Sequence, residues 1–199
     1  MNRQRSELHK TLSESVPDKK ELDSLYILND YFNIKVLVKC AIEDTDPKLF
    51  MQYPSTINAP DADKNKANSD FGFLSKEYRN IAGKAYNIAL KNENGKFSDT
   101  VIDKAAIDAL SVCGKCKNSD LINKICAFIA DTSNIKTALR CAVTAQDEEY
   151  INEAIGDCCK LDRSKLINSA VQGYDSLVSY LETTDYKKLD SRLGTNADL

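Results

Sequence analysis

An all-α fold follows from three features of the sequence. Apolar residues recur every three to four positions over long stretches, and no segment alternates apolar and polar residues between turn signals. Glycine and proline are scarce, at seven and four in 199 residues, too few for a sheet-rich chain with many tight turns. The length suffices for one large or two small domains with a real core. A formal net charge of −3 leaves no global basic field to draw nucleic acid. No apolar run approaches the roughly 20 residues of a membrane span, and the N-terminus lacks a signal-peptide core. The chain is therefore expected to be soluble and intracellular. Seven cysteines, an odd number spread among apolar positions, fit reduced thiols better than a disulfide framework.

Residues 1–16 are polar and weakly periodic, a marginal helix short of a packing partner. From Lys19 to Asp44 the pattern sharpens. Ser24, Ile27, Tyr31, Ile34, Val38 and Ala41 form one stripe, which Leu25, Leu28 and Phe32 widen. Thr45-Asp46-Pro47 supplies a cap and a first-turn proline for a short helix reaching Tyr53. Residues 54–70 hold two prolines and the polar run "DADKNKANSD", an exposed connection with room for one helical turn after Ser55.

Ser75 opens the next helix, with Tyr78, Ile81, Ala82, Ala85, Ile88 and Ala89 on one face and "NENG" at its close. A Ser98-Asp99 cap opens another, in which Val101, Ile102, Ala105, Ala106, Ile107 and Leu110 alternate with charges. Asn118-Ser119-Asp120 caps a long helix striped by Leu121, Ile125, Phe128, Thr132, Ile135, Leu139 and Ala142. Gln146 to Gly156 is a shorter helix ending on a glycine cap. "LDRSKLINSAVQGYDSLVSYLE" forms the last strong helix, ahead of a fraying tail.

Two of these helices carry related text. "DYFNIKVLVKCA" (Asp30 to Ala41) and "DTSNIKTALRCA" (Asp131 to Ala142) share the Asp, Asn-Ile-Lys and Cys-Ala positions. Lys39 and Arg140 are conservative counterparts. Two structural repeats are the economical reading: residues 1–95, incomplete at the N-terminus, and residues 96–199. Within each copy the Asp and Asn lie three residues apart, on one helix face. Neither residue type favours a helix interior. Two readings stand open: they hydrogen-bond to a neighbouring helix or a loop backbone and so fix one packing register, or they face water.

Chemical motifs are few. "CGKC" (Cys113 to Cys116) and Cys158-Cys159 lack the second chelating loop of a four-thiolate zinc site, because adjacent side chains point apart. No βαβ pattern surrounds the CxxC to make it a redox motif. His9 is the only histidine, so a His-based nucleophilic site has no base. No GxxxxGK[ST] or GxGxxG occurs, and Glu148-Glu149 suits a solvated helix surface. A helical, non-catalytic protein without cofactor or metal is expected.

The repeated segments also carry a family resemblance. "LNDYFNIKVLVKCAIED" and "FIADTSNIKTALRCA" resemble the first and second occurrences of a pattern in the C subunit of V/A-type ATPases, known as the d subunit in the eukaryotic enzymes. "VIDKAAIDAL", with Asp103, is similar to the segment that precedes the second occurrence. "YPSTI" stands where a short loop follows the first, without the glycine often found there. The resemblance spans roughly Leu22 to Leu181. It implies three similar helical units arranged as a funnel, of which this chain holds a portion.

The implied role is a non-catalytic central-stalk subunit. It would receive the foot of the rotating shaft and rest on the membrane rotor ring at the cytoplasmic face. There it would transmit torque between ATP turnover and proton or sodium transport. Asp30, Asn33, Lys35, Lys39, Asp103, Asp131, Asn134, Lys136 and Arg140 are the residues expected to fix the helix packing. The expected partners are shaft and ring subunits, without nucleic acid or a membrane span of its own. As a portion of a longer architecture, the chain is expected to expose apolar patches near residues 1–20 and the C-terminal helix, and to self-associate. Two other classes compete: a free-standing helical-repeat adaptor that binds protein or peptide in a groove, and a cysteine-based metal or redox protein.

Overall fold

The computed structural model describes Glu7, Thr11, Glu14 and residues 19–58, 71–91, 96–115 and 120–187. The described residues form α1 (Lys19–Glu43), α2 (Lys76–Lys91), α3 (Lys96–Lys115), α4 (Asp120–Val143), α5 (Glu148–Ala154), α6 (Arg163–Gln172) and α7 (Tyr174–Glu182). A 3-10 turn, Pro47–Leu49, follows α1, and no strand occurs among these residues. The all-α expectation is met.

Helix α3 is the shared element. It packs against α1 and α2 and also against α4 and α5. One core lies among α1, α2 and α3, built on Ile34, Leu37, Val38, Phe71 and Ile102. A second lies among α4 to α7, built on Ile135, Leu139, Ile151, Leu166 and Leu177. Ile107, Leu110, Cys126 and Ala130 form a smaller bridge between them, with Ile27 of α1 packed against it. Each fully buried aliphatic side chain here stabilises the fold by about 1.5–3 kcal/mol relative to exposure.

Helix α1 keeps the predicted stripe but not its widening, and the buried face of α4 is rotated from the one the apolar spacing predicts. In α1, Ile34 and Val38 are buried, whereas Leu25, Leu28 and Phe32 are 40–46% exposed. In α4, Ile135 and Leu139 are buried, but Leu121, Ile125 and Phe128 are 68%, 38% and 55% exposed. The face α4 buries instead carries Cys126, Ala127, Ala130, Asp131 and Asn134. Close helix approach explains the shift. A Cβ on Gly114 of α3 would stand 2.9 Å from the Ala127 backbone nitrogen, so the α3–α4 crossing selects small side chains over large ones.

Several boundaries also move. Helix α3 begins at Lys96, which puts Ser98 and Asp99 inside its first turn rather than at its cap. The helix expected from Pro47 to Tyr53 shrinks to one 3-10 turn, capped by the Asp46 side chain; residues 56–58 are not helical, and the rest of the expected connection, residues 59–70, lies outside the described residues. Asp147 caps α5, which ends before Gly156. Gly156 serves contact rather than capping: a Cβ there would lie 2.8 Å from Ile107 and Asp108 of α3. The last helix breaks into α6 and α7 at Gly173, whose φ of +111° an L side chain rarely adopts. Of residues 1–16, Glu7, Thr11 and Glu14 are helical; "NENG", Cys116, Asn118-Ser119, His9 and the tail lie outside the described residues.

The glycines yield a paired prediction. Gly83 of α2 has nothing within 4 Å of a new Cβ, so Gly83→Ala should stabilise by about 1 kcal/mol through helix propensity. Gly114→Ala gains the same propensity but overpacks against backbone at a cost of about 1–3 kcal/mol. Urea unfolding should show the first variant more stable and the second less stable than the parent.

Candidate functional site

Four of the polar residues expected to fix packing are fully buried in the two long helices: Asp30 and Asn33 in α1, Asp131 and Asn134 in α4. Asn33 and Asp30 hold the loop beyond the 3-10 turn that follows α1, and Asn134 and Asp131 hold the loop beyond α5. Asn33 Oδ1 accepts from Gln52 N at 2.7 Å and its Nδ2 donates to Gln52 O at 2.9 Å. Asp30 accepts from Thr56 N at 2.7 Å, Thr56 Oγ1 at 2.6 Å and Ser55 Oγ at 2.5 Å. In the second helix, Asn134 Oδ1 accepts from Gly156 N at 2.9 Å and Nδ2 donates to Gly156 O at 3.2 Å. Asp131 accepts from Lys160 N at 2.9 Å and Cys159 N at 2.8 Å. In both places the Asn amide pairs with the N–H and C=O of one loop residue. The Asp then takes the N–H four residues further on.

A tyrosine closes each clamp. Tyr78, at the start of α2, donates its hydroxyl to Asp30 at 3.1 Å, and Tyr186, just after α7, donates to Asp131 at 2.9 Å. Each ring rests on an aromatic residue of the clamped helix: Tyr78 edge-on to Tyr31 at 5.5 Å, Tyr186 stacked on Phe128 at 6.4 Å. Burial, reinforced by the facing carboxylate, raises both phenols above the ordinary tyrosine value.

The helix ends match as well. Asp44 and Ala145 adopt left-handed φ angles of 56° and 47°. The following amides bond back five residues, Thr45 N to Cys40 O at 3.1 Å and Gln146 N to Cys141 O at 3.0 Å, the six-to-one bond of a Schellman ending. Asp46 and Asp147 then cap the next turn. The spacing differs only between cap and loop: Asn33 lies 19 residues before Gln52, and Asn134 lies 22 before Gly156. The additional residues extend the 3-10 turn of the first copy into α5 of the second.

Charged residues separate the two copies. Lys35 pairs with Asp103 at 2.6 Å and Lys39 with Asp99 at 2.9 Å, tying α1 to α3. Lys136 and Arg140, at the matching places of α4, are exposed and form no ion pair among the described residues. Arg140 lines a cleft of about 290 Å³ between α3, α4 and α5, together with Asp99, Asp103 and Tyr150. Asp99 Oδ1 is buried without a hydrogen-bond partner among the described residues.

The sequence reading gives no site role to Ser55, Thr56, Tyr78, Asp99 or Tyr186: it places Tyr78 on an apolar helix face and Asp99 at a helix cap. One signal pointed to the tyrosines: Glu77-Tyr78-Arg79 and Asp185-Tyr186-Lys187 share an acid-tyrosine-base order.

The arrangement holds chain segments in place and offers little reactive chemistry. Burial, with the Asp131 charge next, pushes the Cys158 thiol up to about 12, which keeps it protonated and unreactive. No group of three metal-ligating residues gathers among the described residues. No helix among them is long and apolar enough to cross a membrane.

The pattern of a family described as ATP synthase (C/AC39) subunit fits residues 1–197. No curated protein and no solved structure matches the chain.

Removing either carboxylate strands backbone N–H donors in the interior. Asp30→Ala and Asp131→Ala should each cost about 3 kcal/mol in chemical unfolding. A change within about 0.5 kcal/mol would mean that water replaces the lost acceptor. The tyrosines add a pH dependence. With folded-state pKa values raised above the unfolded 10.0, their stabilisation is complete below about pH 10 and is lost as pH rises beyond it. Tyr78→Phe with Tyr186→Phe should lower neutral-pH stability by about 1 kcal/mol per hydroxyl and flatten the alkaline decline.

Proposed function

The chain belongs to the ATP synthase (C/AC39) subunit family, and from that membership we propose that it is a non-catalytic central-stalk subunit of a V/A-type rotary ATPase. It couples the rotating shaft to the membrane rotor ring for proton or sodium transport. It sits peripherally, on the cytoplasmic face, through contacts with shaft and ring subunits rather than through a span of its own. Residues 1–95 and 96–199 act as two like units.

The twin clamps are the observation that carries this reading. A torque-bearing part must transmit force without yielding at its joints. Loops are ordinarily the compliant parts of a helical protein. Here each loop is bound to its helix through half-buried, charge-assisted hydrogen bonds from backbone donors to a fully buried Asp. The surrounding helices meet in close-packed cores of low compressibility. The absence of reactive groups from the clamps suits a part that conveys energy and transforms no substrate.

Purification from native membranes under conditions that preserve the complex should recover shaft and ring subunits with this chain. Recovery of neither would contradict the proposal. In the assembled enzyme, combining Asp30→Ala with Asp131→Ala should lower ions moved per ATP consumed by several-fold, as softened joints slip, while ATP hydrolysis by the head continues. Equal loss of hydrolysis and transport would place the residues in assembly rather than coupling.

A further inference from the structure

The exposed side of α4 has a counterpart in the same chain that is covered. On α1, Lys35 and Lys39 stand one turn apart and bind Asp103 and Asp99 of α3, while Ile27 packs against Ile107 and Leu110 of that helix. The salt bridges pair the later lysine with the earlier aspartate, so α3 runs antiparallel to α1. On α4 the corresponding positions are Lys136, Arg140 and Phe128. The two cations are exposed without ion pairs among the described residues. Phe128 stacks on Tyr186 yet keeps 55% of its surface exposed, and Ile125, a turn before it, keeps 38%.

From this internal template we propose that α4 is a docking surface for an amphipathic helix of a partner. The partner helix runs antiparallel to α4. It carries two carboxylates at positions i and i+4 that meet Arg140 and Lys136, and apolar residues in its later turns that cover Phe128 and Ile125. The charge count supports this occupant. Asp99 and Asp103 share a cleft with Arg140, but their ion pairs are with Lys39 and Lys35 of α1; Lys136 and Arg140 have no ion pair among the described residues, and two carboxylates would supply one for each. The apolar and basic parts of α4 also lie in the order they take on α1, Ile27 before Lys35 and Lys39, which α3 answers with carboxylates toward its start and aliphatic residues after them. A lone charged stripe would attract any anionic surface. The adjoining exposed aromatic and aliphatic side chains require a partner with an apolar face at fixed spacing.

The proposal rests on the match between the two units and not on a rotary role. A photo-crosslinking amino acid at Ile125, in the full chain within its assembled complex, tests it. The expected product joins Ile125 to a partner segment in which two Asp or Glu residues stand four apart. Lys136→Glu with Arg140→Glu should lower its yield by about tenfold or more, as loss of two facing charge pairs predicts, and converting the partner's two acids to lysine should restore it. If the reversal unfolds the chain, Lys136→Gln with Arg140→Gln serves, with an unchanged thermal melt as control. Adducts to lipid, to a second copy of this chain or to a segment without paired acids would overturn the proposal. So would the absence of any adduct, or a yield indifferent to the charges. Shaft and ring subunits could still be recovered in any of those cases, so this outcome and that of the coupling proposal are separable.

Discussion

Taking a carboxylate out of water costs about several kcal/mol unless other donors replace the lost hydration. This chain does so twice, in the middle of its two long helices, and the rest of the architecture is arranged around that cost. Asp30 and Asp131 recover their hydration from loop N–H groups and a tyrosine hydroxyl. An Asn three residues on does the same for the peptide group of another loop residue. The exchange works in both directions, because buried loop backbone also needs partners. Loop and helix thus satisfy each other, and neither can leave without stranding the other's polar groups in the interior.

This mutual dependence orders elements distant in sequence. The first clamp brings α1, the loop after it and the start of α2 to one point. The second does the same for α4, the loop after α5 and the residues after α7. Between them lies α3, which reaches both cores. A load applied at one end of such an assembly meets hydrogen-bonded joints and packed side chains, with few places to bend. That is the mechanical character the proposed coupling role requires.

The all-helical class was legible because period and composition report it directly. So was the kinship of the two Asp-to-Cys-Ala segments, since the spacing within a helix is rigid. Which face α4 buries was not. Apolar periodicity counts large side chains, yet α4 turns its Leu121 and Phe128 outward and buries Ala127 and Asp131. Close approach at Gly114 and carboxylate satisfaction from a loop about thirty positions away are tertiary effects, invisible to a local window. The two open readings of the Asp-Asn pairs are resolved by those contacts in favour of loop backbone. The clamp partners were harder still. Ser55 and Thr56 lie on a loop of ordinary composition, and Tyr186 follows two helices that have no equivalent among the described residues of the first copy. The ion pairs of Lys35 and Lys39 could not be told from solvated charge until α3 was in place.

Native-state hydrogen exchange at four loop amides, those of Gln52, Thr56, Gly156 and Lys160, measures the clamps most directly. If the buried side chains hold the loops as part of the core, these protons should exchange only in openings that also expose the middle of α1 and α4, within about tenfold of the rates there. Exchange as fast as in an unprotected surface loop would mean that the joints open freely, and the account of a stiff, doubly clamped coupling element would be wrong.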